Sequence, residues 1–424
     1  MGRFHIAFNF LAIIDKKFLN SGLEDLLIES GVYAAGTTSA LIKGKSYNRG
    51  VRAHKLCMEA FFRLMWPEFV RWYNTSYREQ SRHLNDEELQ ARIASGVVAV
   101  VKHENTPQIF PKLEEDLDGL ICAYDAFKSE ARGKFSKFSF WEEYCSMVNI
   151  VLQLIKAERT GNWNLHLSAV ATMTPHFYAM NRPNYSRWLP VYLIDMHRLE
   201  FTHPLVHKAF LSGEHSISHS GQPFSQVPTD MALEQSINAD SKTKGGIIGI
   251  SQSPSAVDRW FLTIHEHASV TTAIKKVYGM KDNDNKMHKE ATKARVKRDE
   301  DDVNKLLSCF TSSLMIKPYS LESDALVNFV TGVVLPDDVA ETLVNSTKKG
   351  QNQMNNFIEE RINPNTTSFW DSIPNNKVKT FSSVSKKVSV KATDEKLMTV
   401  NADRDIFGRL LIMANARQIN LKEV

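Results

Sequence analysis

Two carboxylate side chains, Asp230 and Glu234, lie four residues apart in the segment 228–238, which follows a strand-like run at 222–227. If the segment is helical, this spacing places both carboxylates on one face, about one turn apart. Two carboxylates on a rigid face could hold a divalent metal ion such as Mg²⁺ or Mn²⁺, or share acid–base chemistry. The same pattern is also typical of an ordinary first helical turn, where acidic side chains interact favourably with the helix dipole. The sequence leaves both interpretations open.

Histidines are concentrated between residues 176 and 219, and zinc binding is one interpretation. The spacing of His203 and His207 suits one face of a helix. His215 and His219 share that spacing but flank a predicted strand and turn, where four-residue spacing does not converge. No cysteine accompanies them, so we predict polar surface histidines for the whole group: His176, His197, His203, His207, His215 and His219.

Basic residues occur in two groups that could contact nucleic acid. Arg49, Arg52 and Lys55 follow the polar side of an amphipathic stretch at 46–73. A second group interleaves arginines with aromatic residues, a pattern that can stack bases and contact phosphates. At helical spacing this pattern is also typical of core aromatics whose neighbouring arginines extend to the surface. The second group comprises Trp163, Tyr178, Arg182, Tyr185, Arg187, Trp188, Tyr192, Arg198, Arg259 and Trp260.

The composition indicates a globular protein rather than a fibrous or membrane protein. The 424 residues are 42% hydrophobic and 24% charged, with a net charge of +4, which permits nucleic-acid contact without requiring it. Four scattered cysteines without a C-x-x-C pair favour an intracellular, reducing compartment. No apolar run reaches membrane-spanning length, so we expect no membrane partner.

Helical periodicity dominates the chain and predicts a mainly α fold with a small β element. The β element is a hairpin near 214–227, with Ser220 and Gly221 as its turn. A charged stretch with almost no apolar face predicts a solvated helix or a linker. The predicted regions are a main domain (1–280, with a helical insertion-like part at 20–200 and a hairpin with helices at 201–280), the charged stretch (281–305) and a C-terminal helical region (306–424, polar at 363–395).

Six motifs are distinctive: Gly2–His5, Ser21–Leu27, Tyr47–His54, Asn184–Pro190, Phe224–Asn238 and Asn401–Phe407. Together they resemble an uncharacterised, multi-copy, transposon-derived family of animal proteins. The resemblance covers most of the chain. It implies a transposon ancestry but no stated activity.

The order of these motifs also resembles the core of DDE transposases, which have an RNase H-like fold with a helical insertion. This resemblance implies that His5 belongs to the histidine element after the second catalytic aspartate. Residues 20–200 would be the insertion, and Glu234 would be the third carboxylate, with Asp230 beside it. A two-metal centre needs further carboxylates. Because the sequence starts at the histidine element, we expect the first two aspartates to be missing.

We therefore expect a transposase-derived intracellular protein, nuclear if it binds DNA, that is catalytically incomplete. The expected DNA binding is salt-dependent and independent of sequence. The residues assigned to it are Arg49, Arg52, Lys55, Arg182 and Arg187. One alternative is a helical protein–protein interaction module, whose partners the sequence does not identify. The other is a Mg²⁺- or Mn²⁺-dependent nuclease or strand transferase with His5, Asp230 and Glu234 as catalytic residues.

Overall fold

The structure is a computed structural model. It describes residues 2–42, 46–76, 109–218, 221, 224–235, 253–278, 292–312, 315–319, 325–362, 367–384, 388–391 and 397–400. The described residues fall into two compact units. The first unit comprises 1–13, 149–301 and 346–376, and the second comprises 14–148, 302–345 and 377–424. The domain boundaries proposed from the sequence stay predictions.

The mainly α fold class is confirmed, since strands form only two short antiparallel pairs in the described parts of the chain. The helices are α1 (Arg3–Phe18), α2 (Leu23–Glu29), α3 (Ala35–Ile42), α4 (Tyr47–Ser76), α5 (Ile109–Lys134), α6 (Ser136–Thr160), α7 (Trp163–Ala179), α8 (Pro183–Thr202), α9 (Pro204–Leu211), α10 (Thr229–Gln235), α11 (Pro254–Val277), α12 (Lys293–Thr311), α13 (Asp337–Val344), α14 (Ser346–Arg361) and α15 (Phe381–Val384). The strands are β1 (Ser216–Ser218), β2 (Gln226–Pro228), β3 (Val388–Lys391) and β4 (Leu397–Val400).

The predicted hairpin is present in the first unit. Strands β1 and β2 pair antiparallel, with Ile217 opposite Val227, and Gly221 has a positive φ of 65° between them. Glycine adopts this left-handed conformation without the steric cost of a Cβ atom. The pair β3–β4 lies in the second unit, so an RNase H-like sheet stays a prediction.

Helix α7 is central to the first unit. Its N-cap residue Asn162 accepts a hydrogen bond from the backbone N–H of Leu165 at 2.9 Å, which satisfies one of the free donors of the first turn. Most of the helix is buried, and α14 packs against it. A Cβ atom on Gly350 of α14 would collide with the carbonyl oxygen of Pro175 and lie 2.8 Å from the backbone nitrogen of Ala179. The absence of a side chain at position 350 therefore sets how closely these helices approach.

Aromatic side chains form the core of the second unit. The rings of Phe61 and Phe329 both lie 5.1 Å from Trp141, and Phe18 lies 4.6 Å from Phe140, measured between centroids. These tilted and edge-on contacts combine large apolar burial with favourable ring electrostatics. The core therefore joins residues that are far apart in sequence.

The second unit also buries a polar cluster at His54. The two ring nitrogens of His54 lie 3.2 Å from Asp15 Oδ1 and 3.0 Å from the Tyr144 hydroxyl. Burial raises the pKa of Asp15, and the His54 contact only partly opposes this. A cavity of about 20 Å³, enough for one water molecule, lies beside Asp15 and His54. Among the described helices, none combines the length and apolar character that crossing a membrane requires.

Candidate functional site around His5

The structure brings together the three residues that the sequence assigned to catalysis. Asp230 and Glu234 lie on α10, and His5 lies in the first turns of α1. His5 Nδ1 lies 3.0 Å from Asp230 Oδ2, and His5 Nε2 lies 3.8 Å from Glu234 Oε1. The His5 side chain is 47% exposed, so this cluster faces solvent. The imidazole thus lies between two carboxylates.

Asp230 has a second role that the sequence did not reveal, because it caps α1. Its two carboxylate oxygens accept hydrogen bonds from the backbone N–H groups of Phe4 (3.1 Å) and His5 (3.2 Å). The first N–H groups of a helix have no intrahelical acceptor, and a negative charge there also interacts favourably with the helix dipole. The sequence placed Asp230 in the first turn of its own helix, but the structure shows that it also stabilises the start of another helix.

Gly2 and Arg3 complete the junction between α1 and the hairpin region. A Cβ atom on Gly2 would lie 2.5 Å from Asp230 Oδ2, so a larger residue would displace the capping carboxylate. Arg3 donates to the carbonyl oxygen of His215 and, at 3.0 Å, to Thr229 Oγ1. Arg3, Phe4 and His5 therefore all contact Thr229 or Asp230, and these contacts hold the motif at 2–5 against the motif at 224–238.

A buried chain of polar contacts, which we call the buried polar relay, extends from Arg3 into the first unit. Glu158 pairs with Arg3 Nη1 at 3.1 Å and with His166 Nδ1 at 2.7 Å. His166 Nε2 lies 2.9 Å from the hydroxyl of Tyr192. His166 is fully buried and stacks on Trp163, with ring centroids 5.1 Å apart. The sequence predictions missed this relay, because His166 occupies an otherwise ordinary position on a helix and its partners are distant in sequence.

The prediction of surface histidines is wrong at two positions. His176 and His215 are 7% and 4% exposed. Burial, followed by the charge of Arg3, lowers the pKa of His215 from 6.5 to about 4, which keeps its ring neutral near pH 7. Tertiary packing overrides the usual surface preference of histidine at these positions. His219, which was also predicted to be a surface histidine, lies outside the described residues.

The cluster around His5 offers part of a metal site. A histidine whose Nδ1 bonds a carboxylate, with Nε2 directed towards another ligand, is the arrangement that orients histidine ligands in metal centres. However, the described part of the chain contains no group of three or more His, Cys, Asp or Glu side chains arranged so that it could hold a metal ion, and His5, Asp230 and Glu234 do not form one. The described residues therefore do not provide a complete metal-binding set, and no metal-dependent step follows from them.

The basic residues assigned to DNA occupy different environments. In the second unit, Arg49 and Lys55 are exposed on α4. Arg52 instead pairs with Asp302 at 2.7 Å, and its side chain is only 12% exposed. In the first unit, Arg187 on α8 donates to main-chain carbonyl groups, and Arg182 is the partly buried N-cap residue of α8. Arg52 and Arg187 therefore have structural contacts of their own.

The whole chain, residues 1–424, matches the family described as a domain of unknown function (DUF8702), and the protein belongs to that family. No curated protein and no solved structure matches it.

Proposed function

We propose that this is a transposase-derived protein that binds DNA without sequence preference and lacks a complete catalytic centre. One observation carries the proposal: His5 meets Asp230 and Glu234, although 225 residues separate His5 from Asp230. The resemblance to DDE transposases assigns the histidine element and the carboxylate helix to one metal centre. Their meeting in space is what such an ancestry would leave.

Catalytic incompleteness is proposed from the ligands at this cluster. The carboxylate of Asp230 is occupied by two backbone N–H groups and the ring of His5. A two-metal centre needs several carboxylates on the ions, and among the described residues no group of three or more such side chains could hold a metal ion. With catalysis set aside, DNA binding is the activity we propose to remain from a transposase ancestor, with a nuclear location as part of that proposal.

DNA contact is assigned first to Arg49 and Lys55, whose side chains are exposed on α4. Each cation that neutralises a phosphate releases counterions, so affinity should fall steeply with salt. Arg52 contributes less to this surface, because its guanidinium is already paired with Asp302.

Fluorescence anisotropy with a labelled duplex of arbitrary sequence, at low and near-physiological salt, tests this proposal. We expect saturable binding that weakens with salt, with a shallower salt dependence in the Arg49→Gln, Lys55→Gln double variant. The matched control is Lys348→Gln, Lys349→Gln, which removes the same charge from exposed positions on α14. If both double variants lost the same duplex affinity, binding would depend on the net charge of the protein and not on the α4 surface. Absence of binding by folded protein at either salt would refute the proposal.

The nuclease alternative makes a separate prediction. A metal-dependent enzyme would nick supercoiled DNA with added Mg²⁺ or Mn²⁺, and Glu234→Gln would abolish nicking. We expect no nicking by the unaltered protein. Nicking that depends on Glu234 would contradict catalytic incompleteness while leaving DNA binding intact.

A helical interaction module is the second candidate, and one observation favours it. Helix α9 has no buried residue, and Leu205 within it and Phe201 just before it are each 83% exposed. Exposed apolar side chains that lie close together are typical of interaction surfaces. Light scattering over a range of concentrations would reveal self-association. A Phe201→Ser, Leu205→Ser variant that abolished it would favour this candidate.

A further inference from the structure

An exposed cluster of aromatic rings lies on the first unit, and we call Trp188, Phe369 and Trp370 the aromatic platform. Trp188 belongs to α8, and Phe369 and Trp370 lie in the turn that follows α14. The ring centroid of Phe369 lies 5.2 Å from that of Trp188 and 5.2 Å from that of Trp370. Trp370 is 67% exposed and Trp188 is 42% exposed. Two neighbouring tryptophans with this much exposed surface require an explanation.

Two arginines bind the main chain that carries the platform. Arg187 donates to the carbonyl oxygens of Trp370 (3.2 Å) and Asp371 (2.8 Å). Arg361 donates to the carbonyl oxygens of Asp371 (2.7 Å) and Ser372 (3.2 Å). Four hydrogen bonds thus fix the backbone that carries Trp370. A fixed platform loses little conformational entropy when a ligand binds.

These hydrogen bonds do not neutralise the positive charge of the two arginines. Carbonyl groups are neutral, and in the described part of the chain they are the only hydrogen-bond acceptors of the Arg187 and Arg361 side chains. The Nε atoms of both side chains, and of Arg182, are buried and have no hydrogen-bond partner among the residues that the structure describes. The nearest acidic residues along the chain are Glu359 and Glu360 beside Arg361, and Asp371 beside Trp370; Asp371 accepts from the arginines only through its main-chain carbonyl. The platform is therefore carried by a backbone segment that two arginines bind through neutral acceptors.

We propose that the aromatic platform stacks unpaired bases of single-stranded DNA, with the phosphates drawn to the positive charge of Arg187 and Arg361. Every base has a π face, so this recognition tolerates any sequence, and each stacked base adds to the affinity. Duplex DNA does not offer such faces, because its bases are already stacked on one another. A proline-rich peptide can also dock on aromatic rings, but it offers no negative charge to the arginines. The inference rests on the proposed DNA binding and adds to it a site for single strands.

The test uses the full chain with labelled oligothymidine and labelled duplex, read by anisotropy and tryptophan fluorescence. We expect oligothymidine to quench tryptophan fluorescence, and Trp370→Ala to weaken oligothymidine binding by about tenfold or more. Duplex affinity should change little in that variant. Trp370→Phe keeps an aromatic ring, so its affinity for oligothymidine should fall much less than that of Trp370→Ala. The matched control is Phe201→Ala, another exposed ring of the first unit, and it should bind like the unaltered protein.

The outcomes separate this inference from the proposed function. The platform proposal is overturned if the protein binds duplex but not oligothymidine. It is also overturned if Trp370→Ala and the unaltered protein bind oligothymidine equally well. Neither outcome contradicts duplex binding. Trp370-dependent oligothymidine binding without duplex binding supports the platform and contradicts the duplex surface on α4. Trp370-dependent binding of a proline-rich peptide in place of oligothymidine overturns the nucleic-acid assignment. Trp370→Ala changes an exposed side chain, and its far-ultraviolet circular dichroism should match that of the unaltered protein.

Discussion

The carboxylate of Asp230 caps the helix that carries His5, and its Oδ2 atom also orients the His5 ring, at 3.0 Å from Nδ1. One side chain thereby fixes both the start of α1 and the direction of its imidazole. Neither of the roles considered from the sequence, metal ligand or first-turn residue of its own helix, describes this contact. It joins the two motifs whose meeting supports the proposed ancestry.

The capping role predicts a stability cost at Asp230. Asp230→Ala should lower the free energy of unfolding by about 1 kcal/mol, because two N–H groups of α1 lose their acceptor. Asp230→Asn should lose less, since its amide oxygen can still accept. Urea unfolding followed by circular dichroism measures both variants. Asp195→Ala, at an exposed position on α8, serves as the control and should change stability by less than about 0.5 kcal/mol. Equal losses at positions 230 and 195 would contradict the cap.

Two glycine positions should respond in opposite directions to alanine. Gly350→Ala places a Cβ atom against the backbone of α7 at Pro175 and Ala179 and should cost about 1–3 kcal/mol. Gly119→Ala lies within α5, where a Cβ atom meets no described residue within 4 Å, and should stabilise the helix by up to about 1 kcal/mol. Thermal unfolding of the two variants checks the prediction. A stabilised Gly350→Ala protein would show that α14 does not pack on α7 this closely.

Acid should destabilise the protein through His215. Burial, then the charge of Arg3, lowers its pKa to about 4, whereas the unfolded chain titrates near 6.5. Below pH 6.5 the unfolded state therefore binds a proton that the folded state does not, and the free energy of unfolding falls until about pH 4. His215→Gln cannot titrate, so its stability should fall less over this window. Urea unfolding across the pH range measures the difference, and His197→Gln, at an exposed position, should keep the unaltered slope. Identical slopes in all three proteins would show that His215 does not contribute.

Neutralising Arg52 should affect folding more than DNA binding. Burial alone would raise the pKa of Asp302, but hydrogen bonds from Arg52 and Lys305 lower it overall, so its carboxylate stays charged. Arg52→Ala removes the closer of these partners from a carboxylate that is 6% exposed, and should cost about 3 kcal/mol. Arg49→Ala, three residues earlier on an exposed face, should cost less than about 0.5 kcal/mol.

Unfolding midpoints and duplex affinity should be measured together for these two variants. The expected pattern is lost stability in Arg52→Ala and lost affinity in Arg49→Ala. The reverse pattern would place Arg52 on the DNA surface and contradict its structural role.

Local features of the sequence were enough to predict the mainly α fold, the hairpin at β1–β2 and the shared helical face of Asp230 and Glu234. Helical periodicity, turn residues and four-residue spacing act over a few neighbouring residues, so they can be read without knowing the rest of the molecule. The association of His5 with this pair came from the resemblance to DDE transposases, since no local pattern connects residues so far apart.

Contacts between distant segments were decided by the tertiary structure alone. They include the cap that Asp230 provides to α1, the pairing of Arg52 with Asp302, and the contacts of buried His166 with Glu158 and Tyr192. The partners in these contacts are separated in the chain by helices and turns, and the packing decides which polar groups come near one another. Sequence spacing therefore determined which side chains share an element, whereas long-range packing determined which of them are buried, paired or left exposed.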